Sequence, residues 1–182
     1  MTKKIKTLTD NVCLGIDPSL SSTGFCVINI WTNEVIDYGV IQTSKKQESS
    51  IERIDHIKNE LHAVIDKYRP KTIIMEGLSF GSGGQSTRDL AGLFHVLVNH
   101  FMNSVPHCKI CSISPKTLKK RFANNGKASK EEMNESLMDY NEDLFYRVAK
   151  VAKSAGKFDI VDAFALASQY ENVDKKEVIY GV

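Results

Sequence analysis

Two short apolar segments of this sequence each end on an acidic residue, and this pattern limits the folds that the chain can adopt. The first, Asn11 to Asp17, ends on Asp17, and the second, Thr72 to Glu76, ends on Glu76. Apolar runs of this length are typical of buried strands. Because an isolated carboxylate is costly to bury, we expect each acid at the point where its strand leaves the core.

The remaining apolar pattern predicts an α/β domain with a mixed sheet. Two strands follow the first after short connections, which favours an antiparallel meander of strands 1–3. Alternating helices and strands come next, and strands 4 and 5 are expected to run parallel. The five predicted strands are Asn11 to Asp17, Gly24 to Ile30, Glu34 to Gln42, Thr72 to Glu76 and Ile110 to Ile113.

Helix starts are marked by hydroxyl residues that can cap a helix. Ser49 with Glu52 and Ser129 with Glu132 have the spacing of a capping box. The other predicted helices begin at Ser86, at Ser114 before a proline, and at Phe158, the last of these running to Tyr170. These elements place one domain at residues 1–170, followed by a short polar tail at 171–182.

Composition is that of an ordinary globular protein, with 42% hydrophobic and 25% charged residues in 182. No apolar run is long enough to cross a membrane. The first residues, Met1 to Lys6, lack the apolar core of a signal peptide. We therefore expect a soluble cytoplasmic protein with no membrane partner. Its four cysteines are expected to be reduced, buried thiols, with a metal or redox role for Cys108 and Cys111 as the alternative.

Charge is unevenly distributed although the net charge is only +2. The stretch from Leu90 to Lys130 contains no Asp or Glu, and it is rich in basic residues. Since each missing carboxylate removes repulsion toward phosphate, this stretch predicts nucleic-acid contact, with a solvated surface as the alternative. Its candidate DNA-binding residues are Lys116, Lys119, Lys120, Arg121, Lys127 and Lys130.

A second basic run follows an acidic stretch. Its residues are spaced three to four apart, which predicts that they share one helical face. They are Arg147, Lys150, Lys153 and Lys157.

Two further acids lie in an almost wholly apolar helix. Asp159 and Asp162 are three residues apart, so they share one face. Each acid has an ordinary explanation: Asp17 could bond a turn, Asp159 could cap its helix, and Glu76 could meet a lysine. Together, however, a helix packed across the ends of strands 1 and 4 would gather all four acids. Such hard oxygen ligands suit Mg²⁺ or Mn²⁺, and a pair of these ions can promote phosphodiester cleavage.

Three motifs in this order resemble the RuvC family of Holliday-junction resolvases. Leu14-Gly15-Ile16-Asp17-Pro18 with Thr23-Gly24 resembles the first strand and hairpin of that family. Ile73-Ile74-Met75-Glu76 resembles its second acidic strand. Phe158-Asp159-Ile160-Val161-Asp162-Ala163 resembles its closing helix. The similarity spans residues 10–170.

The resemblance implies a ribonuclease H-like fold with a five-stranded mixed sheet flanked by helices. It implies a homodimer that cuts four-way DNA junctions, with other branched DNA as a further substrate class. Each site would use two Mg²⁺ ions, for which Mn²⁺ could substitute. The products would carry 5′-phosphate and 3′-hydroxyl ends. By position, Asp17, Glu76, Asp159 and Asp162 would be the catalytic metal ligands, and Phe80 would be an aromatic inserted at the junction.

Two loops depart from the family pattern, and two alternative functions remain open. Ser19 stands where the family usually has glycine after Asp-Pro, and the loop Gly77 to Gln85 is richer in glycine than in the family. This divergence favours a bacteriophage-type member. The alternatives are an RNA-processing nuclease of the same fold and an ATP-binding module of the actin and sugar-kinase type.

Overall fold

The computed structural model describes residues 11–44, 49–78 and 84–181. Within these ranges the strands are β1 (Val12–Asp17), β2 (Ser22–Asn29), β3 (Val35–Gln42), β4 (Thr72–Glu76), β5 (Lys109–Ile113) and β6 (Val178–Tyr180). The helices are α1 (Ser50–Tyr68), α2 (Gln85–Ser104), α3 (Pro115–Phe122), α4 (Lys130–Tyr140), α5 (Glu142–Ala149) and α6 (Lys157–Ala167). Short 3₁₀ turns lie at Lys153–Ala155 and Lys175–Glu177.

These strands form one mixed sheet in the order β3-β2-β1-β4-β5-β6. The meander is confirmed, since β1 pairs antiparallel with β2 and β2 with β3. The parallel part is also confirmed, since β4 runs parallel to both β1 and β5.

The prediction of five strands was wrong, because β6 adds a sixth. This strand pairs antiparallel with β5, where Cys111 faces Val178 and Ile110 faces Tyr180. Without it, β5 would be an edge with unpaired backbone groups. Three residues are too few to show the alternation by which a strand is recognised, so the polar sequence around Val178–Tyr180 hid it.

Helices cover both faces of the sheet and define two apolar clusters. Alternate residues of β1 point to opposite faces: Leu14 and Ile16 join the cluster beneath α1 and α2, whereas Cys13 joins the cluster beneath α3–α6. All four cysteines are free and buried, as expected. In the part of the chain that the structure describes, no helix is long and apolar enough to cross a membrane.

Most predicted helix starts are confirmed by their caps. Ser49 and Ser129 each form a complete capping box, and Ser114 caps α3 ahead of Pro115. The start of α2 was predicted wrongly, because Gly84 is its N-cap and provides no side-chain hydrogen bond.

The second basic run does not line one helical face. Helix α5 ends at Ala149, and α6 begins only after Gly156, whose φ of 87° is left-handed. A helix cannot pass through that conformation without breaking. Arg147 instead pairs with Asp143, and Lys153 pairs with Glu131.

Candidate functional site

The first two acids meet at one edge of the sheet. Asp17 is the last residue of β1 and Glu76 is the last residue of β4. These strands are parallel neighbours in which Ile16 pairs with Met75, the residues just before the two acids. Adjacent strands lie about 4.8 Å apart, so both carboxylates leave the sheet side by side.

Helix α6 approaches this edge backbone to backbone, at two glycines. A Cβ added to Gly15 in β1 would overlap the carbonyl oxygen of Ala163 and lie 2.6 Å from the nitrogen of Ala167. A Cβ added to Gly24 in β2 would overlap the carbonyl oxygen of Asp159. Because any larger residue would push the helix away, these glycines allow α6 to lie directly on the strands, with Asp159 and Asp162 near their ends.

Asp159 is oriented by a hydroxyl from the sheet. The Ser22 Oγ donates a short hydrogen bond to Asp159 Oδ2. Asp159 is not the N-cap of α6, since that position is held by Gly156. A Cβ on Gly156 would lie 2.6 Å from Val40 and 3.1 Å from Asp159 Oδ2. Ser22 is therefore a residue of the site that the sequence analysis did not single out.

Burial and mutual repulsion raise the pKa values of three of the acids. Burial raises the pKa of Asp17 well above its usual range, and the charges of Glu76, Asp162 and Asp159 raise it further. Burial, with a contribution from Asp162, raises the pKa of Glu76 to about 7. Burial also raises the pKa of Asp162 to about 6. The acids are thus near enough to influence one another's protonation.

Two predicted lysines lie beside these acids. The charges of Lys119 and Lys130 lower the pKa values of both Glu76 and Asp162, against the effect of burial. Lys119 Nζ donates to the carbonyl oxygen of Ala128 at 2.8 Å, and Lys130 Nζ lies 5.6 Å from the ring centroid of Phe158. No salt bridge joins Glu76 to a lysine among the described residues.

The other basic candidates are divided between solvent and the fold. Lys116 and Lys127 are exposed. Lys120 Nζ bonds Asn124, at the end of its own helix. Arg121 forms ion pairs with Asp174 and Glu177, which join α3 to the turn before β6. Phe80 lies outside the described residues.

A divalent cation fits this cluster by the chemistry of its ligands. Carboxylate oxygens are the ligands that Mg²⁺ prefers, and a cation would neutralise acids whose pKa values are raised by burial and repulsion. Within residues 11–44, 49–78 and 84–181, no three Asp, Glu, His or Cys side chains form a ready-made ligand group.

The family model described as Crossover junction endodeoxyribonuclease RuvC matches residues 13–169. The chain belongs to this family. The match includes all four acids but ends before β6. It favours the nuclease over the ATP-binding alternative.

Curated RuvC proteins from bacteria are similar to the chain over most of its length. The protein named Crossover junction endodeoxyribonuclease RuvC in Endomicrobium trichonymphae is 28% identical over 168 residues, covering 88% of this chain and 80% of that protein. The protein of the same name in Halothermothrix orenii is 31% identical over 136 residues, covering 72% of this chain and 81% of that protein.

Solved structures confirm a RuvC-like, ribonuclease H-like fold. RuvC of T. thermophilus in complex with a Holliday junction substrate aligns with a TM-score of 0.70 and 19% identity, covering 88% of this chain and 92% of that one. The yeast mitochondrial Holliday junction resolvase Ydc2 aligns with a TM-score of 0.64 and 21% identity, covering 87% and 76%. At these identities the likeness concerns the fold alone.

Proposed function

We propose that this RuvC-family chain is a structure-specific endonuclease that cleaves four-way DNA junctions, with other branched DNA as a further substrate class. The observation that carries the proposal is the convergence of Asp17, Glu76, Asp159 and Asp162 at one sheet edge, beside Lys119 and Lys130. A protein that only bound DNA would gain nothing from four acids facing phosphate. The family membership and the junction named for one structural relative support the same substrate.

In the proposed site, Asp17 and Glu76 from the sheet edge and Asp159 and Asp162 from α6 would together hold two Mg²⁺ ions. When bound, Mg²⁺ supplies charge stabilisation and activates water for attack on phosphorus. Ser22 donates a hydrogen bond that fixes the orientation of the Asp159 carboxylate. Lys119 and Lys130 place positive charge next to the acids, where the DNA backbone would otherwise be repelled. Cleavage leaves 5′-phosphate and 3′-hydroxyl ends.

The proposal is tested by Asp17→Asn on synthetic substrates. We expect this variant to lose cleavage of four-way junctions while still binding them, since it removes a metal ligand and no phosphate contact. Cleavage and binding are measured on junction, fork and linear duplex with Mg²⁺, Ca²⁺ or EDTA. Structured RNA is included because an RNA-processing nuclease is the alternative. Asp139→Asn, an exposed acid on α4, is the matched control, and normal cutting by Asp17→Asn would contradict the assignment.

A homodimer with one site per protomer is also proposed. Helix α2 buries Leu93, Leu97 and Phe101 in the core, but Val96 and Met102 remain partly exposed on its outer side. That outer side is the candidate contact between two copies. Light scattering should give twice the mass of one chain, and Val96→Asp should give a monomer. A monomeric mass for the parent protein would remove this part of the proposal.

Three further hypotheses stay as predictions. Insertion of Phe80 at the junction concerns a residue outside the described ranges. A bacteriophage origin rests on divergent loops alone, and the curated relatives named above are bacterial. The boundary predicted at residue 170 would leave β6, which pairs with β5 in the sheet, outside the nuclease domain.

A further inference from the structure

A small cavity lies beside the loop that follows Asp17 and is lined in part by a buried arginine. Its volume is about 220 Å³. Its lining residues come from the loop after Asp17, from α1 and from the first turns of α2: Pro18, Ser19, Leu20, Ser21, Arg53, Ser86, Asp89 and Leu90. Since a water molecule takes about 30 Å³, the cavity has room for a phosphate group and several waters.

Arg53 has no anionic partner among residues 11–44, 49–78 and 84–181. Its side chain is only 2% exposed, and burial of an unpaired charge is costly. Its nitrogens donate to neutral acceptors: Nε to Thr43 Oγ1 at 2.6 Å, and Nη2 to the carbonyl oxygen of Leu20 at 2.6 Å and to Ser21 Oγ at 3.4 Å. None of the salt bridges among the described residues includes Arg53.

One guanidinium nitrogen of Arg53, Nη1, has no hydrogen-bond partner among the described residues. Nη1 is not among the buried side-chain atoms without a partner in the described residues, which are Asn134 Oδ1 and Gln169 Oε1. Because Arg53 lines the cavity, we assign the remaining donors of Nη1 to that space.

The rest of the cavity wall is suited to an anion. Ser19, Ser21 and Ser86 contribute hydroxyl groups, and the N-terminal turn of α2, which has neither a side-chain cap nor an acidic residue, begins beside them. Asp89 is the one carboxylate in the wall. Both of its oxygens already accept hydrogen bonds, from Ser50 Oγ at 2.9 Å and from Gln85 Nε2 at 2.6 Å.

We propose that this cavity binds a backbone phosphate of the DNA strand, close to the phosphate that is cut. The inference rests on the proposed function and adds a substrate subsite to it. Pro18–Ser21 follow Asp17 directly, and four residues span at most about 14 Å, which limits the bound phosphate to a few nucleotides from the cleavage point. A phosphodiester would supply a negative charge opposite Arg53, which none of the described residues provides, with two oxygens that can accept from Nη1 and the serine hydroxyls.

The test measures junction binding in EDTA, in the Asp17→Asn background so that the DNA stays intact. Ser86→Glu places a carboxylate at the exposed mouth of the cavity, and we expect junction affinity to fall roughly tenfold. Asp89→Asn removes the negative charge from the wall and should tighten binding roughly two- to fivefold. Ala63→Glu adds the same charge as Ser86→Glu, about 15 Å further along α1 than Arg53, and should have little effect.

Junctions with one uncharged methylphosphonate at a time then locate the bound phosphate. At one position near the cleavage point, the methylphosphonate should weaken junction binding by the Asp17→Asn protein. The same methylphosphonate should not weaken binding by Asp17→Asn/Ser86→Glu any further. Arg53→Gln is examined in the same way if it folds, but the result does not depend on it. If the methylphosphonate and Ser86→Glu weaken binding independently, so that their factors multiply, at every position within four nucleotides of the cut, the cavity does not hold a DNA phosphate.

The outcomes separate this inference from the proposed function. The Asp17→Asn protein could prefer junctions normally while no methylphosphonate position interacts with Ser86→Glu. That result would overturn the phosphate subsite and leave the nuclease assignment intact. Absence of junction preference in the Asp17→Asn protein would overturn the proposed function, and the same methylphosphonate series on linear duplex would still test the subsite. NMR titration with inorganic phosphate, with chloride as the control, tests a third outcome. If phosphate alone shifts the amide signals of Ser21 and Ser86, but no methylphosphonate position interacts with Ser86→Glu, only free phosphate binds. That outcome would also overturn the proposal.

Discussion

Ser22 and Asp159 are 137 positions apart in sequence, yet they form one of the contacts that shape the acidic cluster. A carboxylate held by a hydroxyl points in a fixed direction, whereas an unheld one rotates. Residues that orient metal ligands typically influence metal affinity nearly as strongly as the ligands themselves.

We therefore predict that Ser22→Ala weakens Mn²⁺ binding by about 10–100-fold, because Asp159 loses its orienting donor. Mn²⁺ affinity is measured by calorimetry in the absence of DNA. Ser168→Ala, which removes a hydroxyl bonded to Ala165 at the far end of α6, is the control and should bind Mn²⁺ normally. Equal affinity in both variants would show that Ser22 does not position the ligand.

The raised pKa values predict an unusual pH dependence of stability without metal. The folded protein holds protons on Glu76, with a pKa of about 7, and on Asp162, with a pKa of about 6, at pH values where the unfolded chain has released them. Stability from these groups is fully present below about pH 4 and is lost as pH rises to about 7.

Denaturant unfolding in EDTA should therefore show higher stability at pH 5 than at pH 8. In Glu76→Gln/Asp162→Asn the difference should shrink, since the titrating groups are gone. Saturating Mg²⁺ should raise stability at pH 8 more than at pH 5, because the ion binds the deprotonated acids. A stability that rises from pH 5 to pH 8 equally in both proteins would contradict this prediction.

Sequence reasoning predicted the four acids as site residues because each one interrupts an apolar pattern. It could not identify Ser22 or Arg53 in the same way. A serine in a turn and an arginine on a helix are ordinary residues until the fold shows what they touch. Arg53 in particular lies among apolar helix positions, but its burial depends on loops that contact it from distant parts of the chain.

At the scale of the elements, the close contact between α6 and the strands controls the site. Gly24 leaves no space for a methyl group because Asp159 lies directly above it. By contrast, the nearest atom to a Cβ on Gly92 in α2 would be Ile54 Cδ1 at 3.7 Å, an ordinary contact.

Gly24→Ala should destabilise the protein by about 1–3 kcal/mol, as overpacking does, and should weaken Mn²⁺ binding because Asp159 is displaced. Gly92→Ala is the matched control and should be neutral or stabilising by up to about 1 kcal/mol, since alanine favours a helix. Both free energies of unfolding are measured in denaturant. Equal stability of the two variants would show that α6 is not held at Gly24.

Elements with a local signal were predictable and elements without one were not. The caps at Ser49, Ser114 and Ser129 are local, and each is found where the sequence placed it. The start of α2 was missed because Gly84 caps it without a side chain. The strand β6 was missed because its stability comes from pairing with β5 and from the ion pairs of Arg121 with Asp174 and Glu177, none of which is visible in three residues.

At the scale of the whole molecule, opposite charges are brought close together. Four acids lie at the sheet edge, and Lys119 and Lys130 lie near enough to lower the pKa values of two of them. Two lysines of the acid-free stretch, Lys119 and Lys130, thus lie near the acids, as nucleic-acid contact would require.

Lys119→Ala should weaken junction binding and reduce the slope of log affinity against log salt concentration by about 0.9, the value for one lost phosphate contact. Binding is measured across a salt series in EDTA. Lys176→Ala removes an exposed charge near the C-terminus and should leave the slope unchanged. A parallel decrease in both variants would indicate a general charge effect instead of a contact at Lys119.

The glycines beneath α6 have a consequence for how such a protein can vary. Because main chain touches main chain there, the spacing of the acids is fixed by atoms that every amino acid possesses. Conservative exchanges among the large apolar residues, such as Ile74 or Phe164, should therefore alter thermal tolerance without retuning the chemistry. The apolar core can therefore change in sequence during evolution while the spacing of the four acids stays the same.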